Sequence, residues 1–324
     1  MKAIVSRCYG SPDVLTLEDI AKPVPGDDEV LVKVVAASVN PLDWHGMRGS
    51  PYIMRLSSGL GTPGDSSIGV DFAGVVEAIG RNVTRYMPGD EVFGGRSGAF
   101  AEYVIIRENR ALTKKPPNVT FEQAAAVPIA AITALQALRD QGKIKTGQKV
   151  LINGASGGVG TYAVQIAKYF GAEVTAVCST RNVEMVRALG ADHIVDYTKE
   201  NYTDSGDLFD LIIDNVGNQT LAKNRTVLTP TGTLVIVGAA KGDWVAPLIS
   251  ALKALVVSPF VEQELGMFIA QLNQDDLGFL AGLMESGAMT SVIDDNRYRL
   301  SDVPAAIRYS EEGHARGKIV VNIP

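Results

Sequence analysis

Short apolar segments recur along residues 1–118, and glycine, proline or aspartate separates each from the next. The length and close spacing of these segments are typical of β-strands joined by tight turns. Many short strands in succession predict an all-β, barrel-like unit. The predicted strands include Met1–Arg7, Glu29–Val39, Val70–Ile79, Glu91–Phe93 and Phe100–Ile106.

A different pattern starts near residue 120. Phe121–Leu138 is too long for a strand, Thr120 can cap it, and Glu122 and Gln123 fall in its first turn, so the pattern predicts a helix. Apolar strands and amphipathic helices then alternate, which is typical of a parallel sheet covered on both faces. The predicted strands are Lys149–Asn153, Glu173–Cys178, His193–Val195, Leu208–Ile213 and Thr233–Val237, and the predicted helices are Val159–Phe170 and Asn182–Leu189.

The last region contains one predicted helix, Asp275–Glu285, and a closing strand, Lys318–Asn322. This strand has no predicted neighbour within its own region, and backbone groups of a buried strand need partners. We therefore expect it to return to the first domain. The pattern predicts an α/β protein of two domains, one formed by residues 1–119 and 266–324 and the other by residues 120–265.

Composition narrows the possible partners and location. Hydrophobic residues make up 46% of the chain and charged residues 20%, which is enough for a packed core. A formal net charge of −6 leaves no basic surplus for phosphates, so nucleic acid is not an expected partner. The two cysteines, Cys8 and Cys178, provide no disulfide framework and fit a reducing compartment. Met1–Arg7 lacks the apolar stretch of a signal peptide, so we expect a soluble, cytoplasmic protein.

The longest apolar segment is Val245–Val261, which Pro247, Lys253 and Pro259 interrupt. It is too short and too broken to span a membrane. We expect a buried helix or a subunit contact there, and hence a homodimer.

The most informative segment is Val150–Gly160, whose sequence is Val-Leu-Ile-Asn-Gly-Ala-Ser-Gly-Gly-Val-Gly. A strand that ends in a glycine-rich turn and opens a helix can bind pyrophosphate, because glycine allows close backbone approach and the helix N-terminus presents unpaired N–H groups. Ala155, Gly157 and Gly160 take the three fingerprint positions. The alternative is an ordinary tight turn, but a second strand about 20 residues later favours a dinucleotide site.

The end of the second strand bears on which dinucleotide is bound. NAD-specific sites place a carboxylate here to bind the adenosine 2′-hydroxyl, whereas residues 178–182 read Cys-Ser-Thr-Arg-Asn and contain no acid. A 2′-phosphate is repelled by a carboxylate and bound well by an arginine such as Arg181. The segment therefore favours NADP, unless Arg181 is simply a solvated surface residue.

These features together resemble the medium-chain dehydrogenase/reductase superfamily, in its quinone oxidoreductase branch, over nearly the whole chain. Ala37–Trp44 resembles the Val-Asn-Pro-x-Asp signature of that branch, and Gly313–Val320 is similar to the chloroplast-envelope quinone oxidoreductase and plant enone oxidoreductase subgroup. The other matching segments are Gly69–Val76, Met87–Val92 and Ala155–Gly160. The resemblance implies a GroES-like β-barrel catalytic domain, rejoined by the C-terminal strand, and an inserted Rossmann domain with a doubly wound parallel sheet.

Departures from the zinc-dependent members predict a zinc-independent enzyme. Those members hold zinc with a Cys where this chain has Asn40, a Gly-His-Glu motif where it has Gly69-Val70-Asp71, and a ligand near Pro128. Residues 81–110 also lack the cysteines of the structural zinc lobe. Tetrahedral zinc takes about four N, S or O ligands, and the three histidines, His45, His193 and His314, are scattered along the chain.

Without zinc, an alcohol dehydrogenase loses its means of stabilising an alkoxide. A quinone or enone instead spreads charge onto a distant oxygen that water can stabilise. The sequence therefore predicts NADPH-dependent reduction of quinones or α,β-unsaturated carbonyls. Two alternatives remain open: an NADP-dependent alcohol dehydrogenase-like enzyme, and a dinucleotide-binding protein without turnover. A short-chain dehydrogenase is excluded, because no tyrosine has a lysine at the Tyr-x-x-x-Lys spacing.

The resemblance also implies site residues. Asn40 would lie beside the nicotinamide, and Tyr52, in the long loop Gly46–Asp65, is a candidate donor to the acceptor substrate. His45 replaces a coenzyme-contacting lysine of the plant enzymes, or else only caps a loop. Thr133 could instead bond its own backbone, and Tyr197 could be a plain surface residue. The implied coenzyme-binding residues are His45, Thr133, Ser156, Gly157, Gly158, Val159, Ser179, Arg181, Asn182, Tyr197, Asn215, Val237, Gly238, Ala239, Gly317 and Lys318.

Overall fold

The structure is a computed structural model that describes residues 1–52, 55–238 and 261–324, without the side chains of residues 57 and 58. The chain folds into two compact units. The first consists of Met1–Ile132 and Gln271–Pro324, and the second of Thr133–Ala270. The predicted segment Val245–Val261 and Ala239 lie outside the described residues, except for Val261.

The first unit contains a two-stranded and a seven-stranded sheet. The seven-stranded sheet has the order β14-β15-β3-β4-β5-β7, and β6 also pairs with β3. All of its pairs are antiparallel except β14 with β15. The strands of this unit are β1 (Lys2–Ser6), β2 (Leu15–Asp19), β3 (Glu29–Val39), β4 (Asp71–Ile79), β5 (Glu91–Gly95), β6 (Tyr103–Arg107), β7 (Leu112–Lys114), β14 (Tyr298–Arg299) and β15 (Ile319–Asn322).

Alternating apolar side chains hold these sheets together. In β3, Val30, Val32 and Val34 have no exposed surface, and they pack in a core that includes Phe72 and Phe100. This core removes large apolar areas from water, which is the main stabilising contribution in such a unit.

The closing strand β15 pairs with β3 in antiparallel register, with Ile319 opposite Val39. The prediction that it returns to the first region is confirmed. The expectation that it lacks a neighbour in its own region was wrong, because β14 pairs with it in parallel. A two-residue strand is too short to leave a period-two pattern in the sequence.

Helices in the first unit were predicted incompletely. The helix Asp275–Glu285 is present as Gln274–Glu285, but the helices at Pro41–Arg48 and Val303–Glu312 were not predicted. Both have proline in the first turn, where a missing N–H costs nothing. In chain order the helices of the unit are α1 (Pro41–Arg48), α2 (Arg55–Ser58), α3 (Phe121–Ala125), α8 (Gln274–Glu285) and α9 (Val303–Glu312).

The predicted single helix Phe121–Leu138 was wrong. The structure has α3, a break, and a second helix α4 at Pro128–Gln136, which continues as a π-helical turn over Ala137–Gln141. Proline lacks the N–H that an uninterrupted helix needs and suits the first position of a new one. Thr120 caps α3 as expected, accepting from the backbone N–H of Gln123.

The boundary between the compact units falls within α4, at residues 132 and 133, rather than at the predicted 119 and 120. Residues 120–132 stay with the first unit because α3 packs against β3 and β4. Gln271 similarly begins the returning part of that unit, five residues after the predicted position.

The second unit contains a six-stranded sheet in the order β10-β9-β8-β11-β12-β13, and every neighbouring pair is parallel. The order reverses between β8 and β11, as in a doubly wound dinucleotide-binding sheet. Leu151, Ile152, Ile212 and Leu234 have no exposed surface. The elements are β8 (Lys149–Asn153), β9 (Glu173–Cys178), β10 (His193–Asp196), β11 (Phe209–Asp214), β12 (Leu228–Ile236), β13 (Glu264–Met267), α5 (Gly158–Tyr169), α6 (Val183–Ala188) and α7 (Leu221–Thr226).

No helix within residues 1–52, 55–238 and 261–324 has both the length and the apolar character that a membrane span needs.

Candidate functional site

The glycine-rich turn lies between β8 and α5 in the second unit. Gly157 is the N-cap residue of α5, and Gly158 is its first helical residue. A Cβ on Gly160 would lie 2.1 Å from the carbonyl oxygen of Gly154, so residue 160 must be glycine for the turn to close. A Cβ on Gly157 would meet only that same oxygen at 3.5 Å, an ordinary contact. Gly157 therefore leaves open space beside a helix N-terminus, where an anion such as pyrophosphate fits.

Polar side chains join this turn to the loop after β11. The amide nitrogen of Asn153 donates to Asp214 Oδ1 at 2.8 Å, and Asn215 Nδ2 donates to the Asn153 carbonyl at 2.9 Å. The backbone N–H groups of Val216 and Gly217 also donate to Asp214 Oδ1. Both loops follow strands on either side of the point where strand order reverses, which is where such sheets bind ligands.

One buried atom in this network is unpaired. Asn215 Oδ1 has no hydrogen-bond partner among the described part of the chain. A buried acceptor without a partner is costly unless a ligand or water donates to it. Asn153 and Asp214 were not predicted as site residues, although a polar residue at the end of each apolar strand was a visible signal.

The loop after β12 lies against the same network. Val237 and Gly238 donate their backbone N–H groups to the Asp214 carbonyl at 2.9 and 3.0 Å. A Cβ on Gly238 would lie 2.0 Å from the Asn215 carbonyl oxygen. The structure thus brings Val237 and Gly238 together with Asn215, as the sequence predicted for strand ends on one edge.

The turn after β9 contains the residues predicted to bind the 2′-phosphate. Arg181 is exposed and lies in a short 3₁₀ helix, Thr180–Asn182. Asn182 is buried, and its Nδ2 donates to Ser179 Oγ at 3.2 Å. Tyr197, at the end of the neighbouring strand β10, is 60% exposed. These four side chains therefore lie on adjacent strand ends.

The turn itself contains no acid, but an acid of the neighbouring strand lies beside it. Asp196, the last residue of β10, accepts a hydrogen bond from the Thr180 hydroxyl at 2.6 Å. The end of the second strand itself contains no acid, but the parallel pairing of β10 with β9 brings Asp196 opposite Cys178. The same pairing brings Tyr197 next to the turn, through its N–H to the Cys178 carbonyl.

The first unit contains a buried polar cluster formed by Asn40, Asp71, Lys318 and Ser38. Lys318 Nζ donates to Asn40 Oδ1, and Asn40 Nδ2 donates to Asp71 Oδ2 at 2.9 Å. Lys318 Nζ also lies 3.6 Å from Asp71 Oδ2, and Ser38 Oγ donates to that oxygen at 3.2 Å. Asn40, Asp71 and Lys318 are each at least 97% buried. The amide of Asn40 is therefore held between an ammonium and a carboxylate.

This cluster links segments that are distant in sequence. Asp71 Oδ1 accepts from the backbone N–H of Ile129 in the first turn of α4, where a carboxylate is favoured by the helix dipole. Lys318 also donates to the Val39 carbonyl. Burial lowers the pKa of Lys318 and raises that of Asp71, and the charge of each opposes the shift of the other.

Asp43 is a second buried carboxyl group close to this cluster. Its Oδ2 accepts from the backbone N–H of Asn40 at 2.7 Å. Its Oδ1 and the Nε1 of Trp44 are buried without partners among the residues described here. Burial raises the pKa of Asp43 to about 7.

The remaining predicted residues of the first unit have local contacts. His45 Nδ1 lies 2.8 Å from the Ser50 carbonyl, and burial lowers the pKa of this imidazole. Tyr52 is half-buried, with the Arg55 guanidinium 4.6 Å from its ring centre. Gly317 has a φ of +76° and would place a Cβ 2.3 Å from the Val292 carbonyl. Thr133, partly buried in α4, is the first residue of the second unit.

Within the described ranges, no group of three or more His, Cys, Asp or Glu side chains is arranged to hold a metal ion.

Comparison with known proteins places these features in a family. Residues 26–117 match the alcohol dehydrogenase GroES-like domain, and residues 189–321 match a zinc-binding dehydrogenase domain. The 2-methylene-furan-3-one reductase of Solanum lycopersicum is 35% identical over 99% of this chain and 79% of its own length. The chain belongs to the medium-chain dehydrogenase/reductase superfamily, in its quinone and enone oxidoreductase branch.

Further members of this superfamily are similar to this chain over nearly its whole length. The chloroplastic NADPH-dependent alkenal/one oxidoreductase of Arabidopsis thaliana is 35% identical, over 99% of this chain and 79% of that protein. The quinone oxidoreductase structure from Coxiella burnetii is 32% identical with a TM-score of 0.87, covering 100% of this chain and 99% of that one. This medium-chain dehydrogenase/reductase is therefore an oxidoreductase with a GroES-like and a Rossmann-like part, as the sequence predicted.

Proposed function

We propose that this chain reduces quinones or α,β-unsaturated carbonyls with NADPH, without zinc. One observation carries the proposal: a glycine-rich turn with open space at Gly157 begins α5 at the point where the parallel sheet reverses its strand order. The activities for which the relatives are named, reduction of alkenals, enones and quinones, support the choice of acceptor.

The second unit supplies most of the proposed coenzyme contacts. Ser156, Gly158 and Val159 would hold the pyrophosphate through backbone N–H groups at the start of α5. Gly157, whose own N–H donates to the Gly154 carbonyl at 3.1 Å, would leave the space that the pyrophosphate needs. Ser179, Arg181 and Asn182 would form the site of the adenosine 2′-phosphate, with Asn182 orienting Ser179 through its Nδ2. Tyr197 would stack or bond alongside. Asn215, with its unpaired Oδ1, would accept from a hydroxyl or amide of the coenzyme, next to Val237 and Gly238.

The first unit supplies the proposed contacts to the reacting groups, Asn40, His45 and Tyr52, with Gly317 and Lys318. When bound, the coenzyme supplies the hydride. Lys318 and Asp71 fix the amide of Asn40 in one orientation, because the first donates to its oxygen and the second accepts from its nitrogen. We propose that the proton reaches the reduced acceptor from water or from the Tyr52 hydroxyl.

The donor set argues against zinc at the position implied by the family. Asn40 takes the place of one zinc ligand, and Val70 stands at the histidine of the Gly-His-Glu motif with Asp71 beside it. The ammonium of Lys318 bonds to Asn40 and lies 3.6 Å from Asp71. A divalent cation there would face a buried positive charge, and an amide oxygen is a weak ligand for zinc beside thiolate or imidazole. These residues fit an ion pair better than a zinc site.

Two wider proposals concern assembly and location. We propose a homodimer, which size-exclusion chromatography with light scattering can test. We propose a cytoplasmic location, although one relative is chloroplastic by name, and fractionation of cells expressing the chain tests this.

The activity is tested by following NADPH oxidation at 340 nm with a panel of quinones, enones and alkenals, and NADP reduction with alcohols. Fluorescence titration with NADPH measures binding separately from turnover. Turnover with conjugated acceptors and none with alcohols supports the proposal. Saturable binding without turnover on any acceptor would identify a coenzyme-binding protein instead, and zinc-dependent alcohol oxidation would identify a dehydrogenase.

A further inference from the structure

The carboxylate of Asp196 lies behind the turn that we propose binds the 2′-phosphate. It accepts from the Thr180 hydroxyl at 2.6 Å and the Thr198 hydroxyl at 2.7 Å. The Thr198 backbone N–H and the Lys199 ammonium, each at 3.1 Å, complete four contacts on its two oxygens. A carboxylate has about four lone-pair positions, so these contacts leave no position for a ribose hydroxyl.

The position of the hydroxyl hydrogens follows from these distances. Thr180 and Thr198 have one hydroxyl hydrogen each, and their oxygens also lie 2.9 Å from one another. Hydrogen bonds from a hydroxyl to a carboxylate are about 2.5–2.7 Å long and stronger than hydroxyl pairs, so both hydrogens point to Asp196. The Thr180 hydroxyl lowers the pKa of Asp196 most strongly, which keeps this carboxylate charged.

The Ser179 hydroxyl accepts a hydrogen bond from a side chain of the turn, whereas the two threonine hydroxyls donate to Asp196. Its Oγ accepts from Asn182 Nδ2 at 3.2 Å, so its own hydrogen is directed to another group. Asn182 is 4% exposed and therefore holds this orientation from inside the turn. Among Ser179, Thr180 and Thr198, the two threonine hydroxyls donate to Asp196, whereas the Ser179 hydroxyl accepts from Asn182 and keeps its own hydrogen to donate to another group.

We propose that Asp196 is a positioning residue that limits the preference of this chain for NADPH over NADH. It turns the Thr180 and Thr198 hydroxyls inward, and it places a negative charge behind the 2′ position. Arg181 and Lys199 offset that charge, so NADPH remains preferred, but less than the two cations alone would produce. The inference rests on the proposed coenzyme site and adds the residue that sets its selectivity.

The experiment measures the adenosine end of the site directly. Dissociation constants for adenosine 2′,5′-bisphosphate and for adenosine 5′-monophosphate are obtained by calorimetry on the full chain, together with KM and kcat for NADPH and NADH. Asp196→Asn should tighten binding of the bisphosphate about fivefold, as expected for removal of one charge near a phosphate. Binding of the monophosphate should change by less than about twofold, with kcat unchanged, because no reacting group is touched.

Asp192→Asn is the matched control. Asp192 lies directly before the first residue of β10, at the opposite end of the strand from Asp196. Like Asp196 it pairs with a lysine, Lys168, at 2.7 Å. It should leave the ratio of the two dissociation constants unchanged. An Asp196→Asn protein with an unchanged ratio, or with a ratio shifted towards the monophosphate, overturns the inference.

Thr180→Val tests whether Asp196 holds the Thr180 hydroxyl hydrogen, and it leaves the carboxylate intact. It therefore tests the inference even if the Asp196 variant fails to fold. Because its hydroxyl hydrogen is already bound by Asp196, we expect both dissociation constants to stay within about twofold of the wild type. Weaker bisphosphate binding by this variant would show that Thr180 donates to the phosphate and would overturn the inference. Wild-type protein that binds neither NADPH nor NADH would instead overturn the proposed function, and this inference with it.

Discussion

Gly157→Val should remove coenzyme binding while leaving the fold intact. The Cβ would lie 3.5 Å from the nearest neighbouring atom, the Gly154 carbonyl oxygen, and a φ of −82° suits any residue. Valine is a poorer N-cap than glycine, so we expect a loss of up to about 2 kcal/mol in the free energy of unfolding.

The effect on binding should be larger. The valine methyl groups would fill the space at the start of α5 that the pyrophosphate needs. Loss of two charge-assisted hydrogen bonds, at about 1.5–3 kcal/mol each, corresponds to a dissociation constant raised more than about 100-fold. Fluorescence titration with NADPH measures this constant, and urea unfolding measures stability.

Two other glycines make the comparison specific. Gly282→Val, on α8 with nothing within 4 Å of the new Cβ, should leave the NADPH affinity unchanged and raise the free energy of unfolding by no more than about 0.5 kcal/mol, because valine has a better helix propensity than glycine. Gly160→Ala should destabilise the protein, because its Cβ would lie 2.1 Å from a carbonyl oxygen. Unchanged NADPH affinity in a folded Gly157→Val protein would refute the pyrophosphate assignment.

Three further changes test other parts of the structure. Arg181→Ala should raise KM for NADPH about tenfold and leave KM for NADH within about twofold, and equal losses for both coenzymes would contradict its phosphate role. Lys318→Met should lower the free energy of unfolding by about 3–5 kcal/mol, because Asp71 keeps a buried charge without its partner. Adding Asp71→Asn should restore most of that loss in urea unfolding, and an equally unstable double variant would argue against the ion pair. Since the pKa of Asp43 rises from 3.8 to about 7 on folding, the folded state binds its proton more tightly and stability falls as pH increases between these values. The contribution is up to about 1.4 kcal/mol per pH unit. Asp43→Asn should lack this slope, and parallel stability curves for the two proteins from pH 4 to pH 7 would disprove it.

The sequence alone determined the parts of the structure that depend on local pattern. The bounds of Lys149–Asn153 and Glu173–Cys178 were predicted to the residue, because each is a mostly apolar segment that begins two residues after a glycine and ends at a polar turn, as buried parallel strands do. The glycine-rich turn and the return of the closing strand to the first region were also predicted. The break before Pro128 could have been predicted from proline chemistry alone.

The side-chain partners were decided by tertiary structure. Lys318 contacts Asn40, 278 positions away in the sequence, because β15 pairs with β3. The spacing of apolar and polar residues along the chain does not indicate such a contact. Asp196 reaches Thr180 because β10 lies beside β9, so the acid absent from one strand end is supplied by the next. Hydrophobic periodicity records which face of an element is buried, whereas hydrogen-bond partners depend on strand order and register. The sequence therefore specified where the glycine-rich turn lies, and the fold determined which polar and charged groups lie beside it.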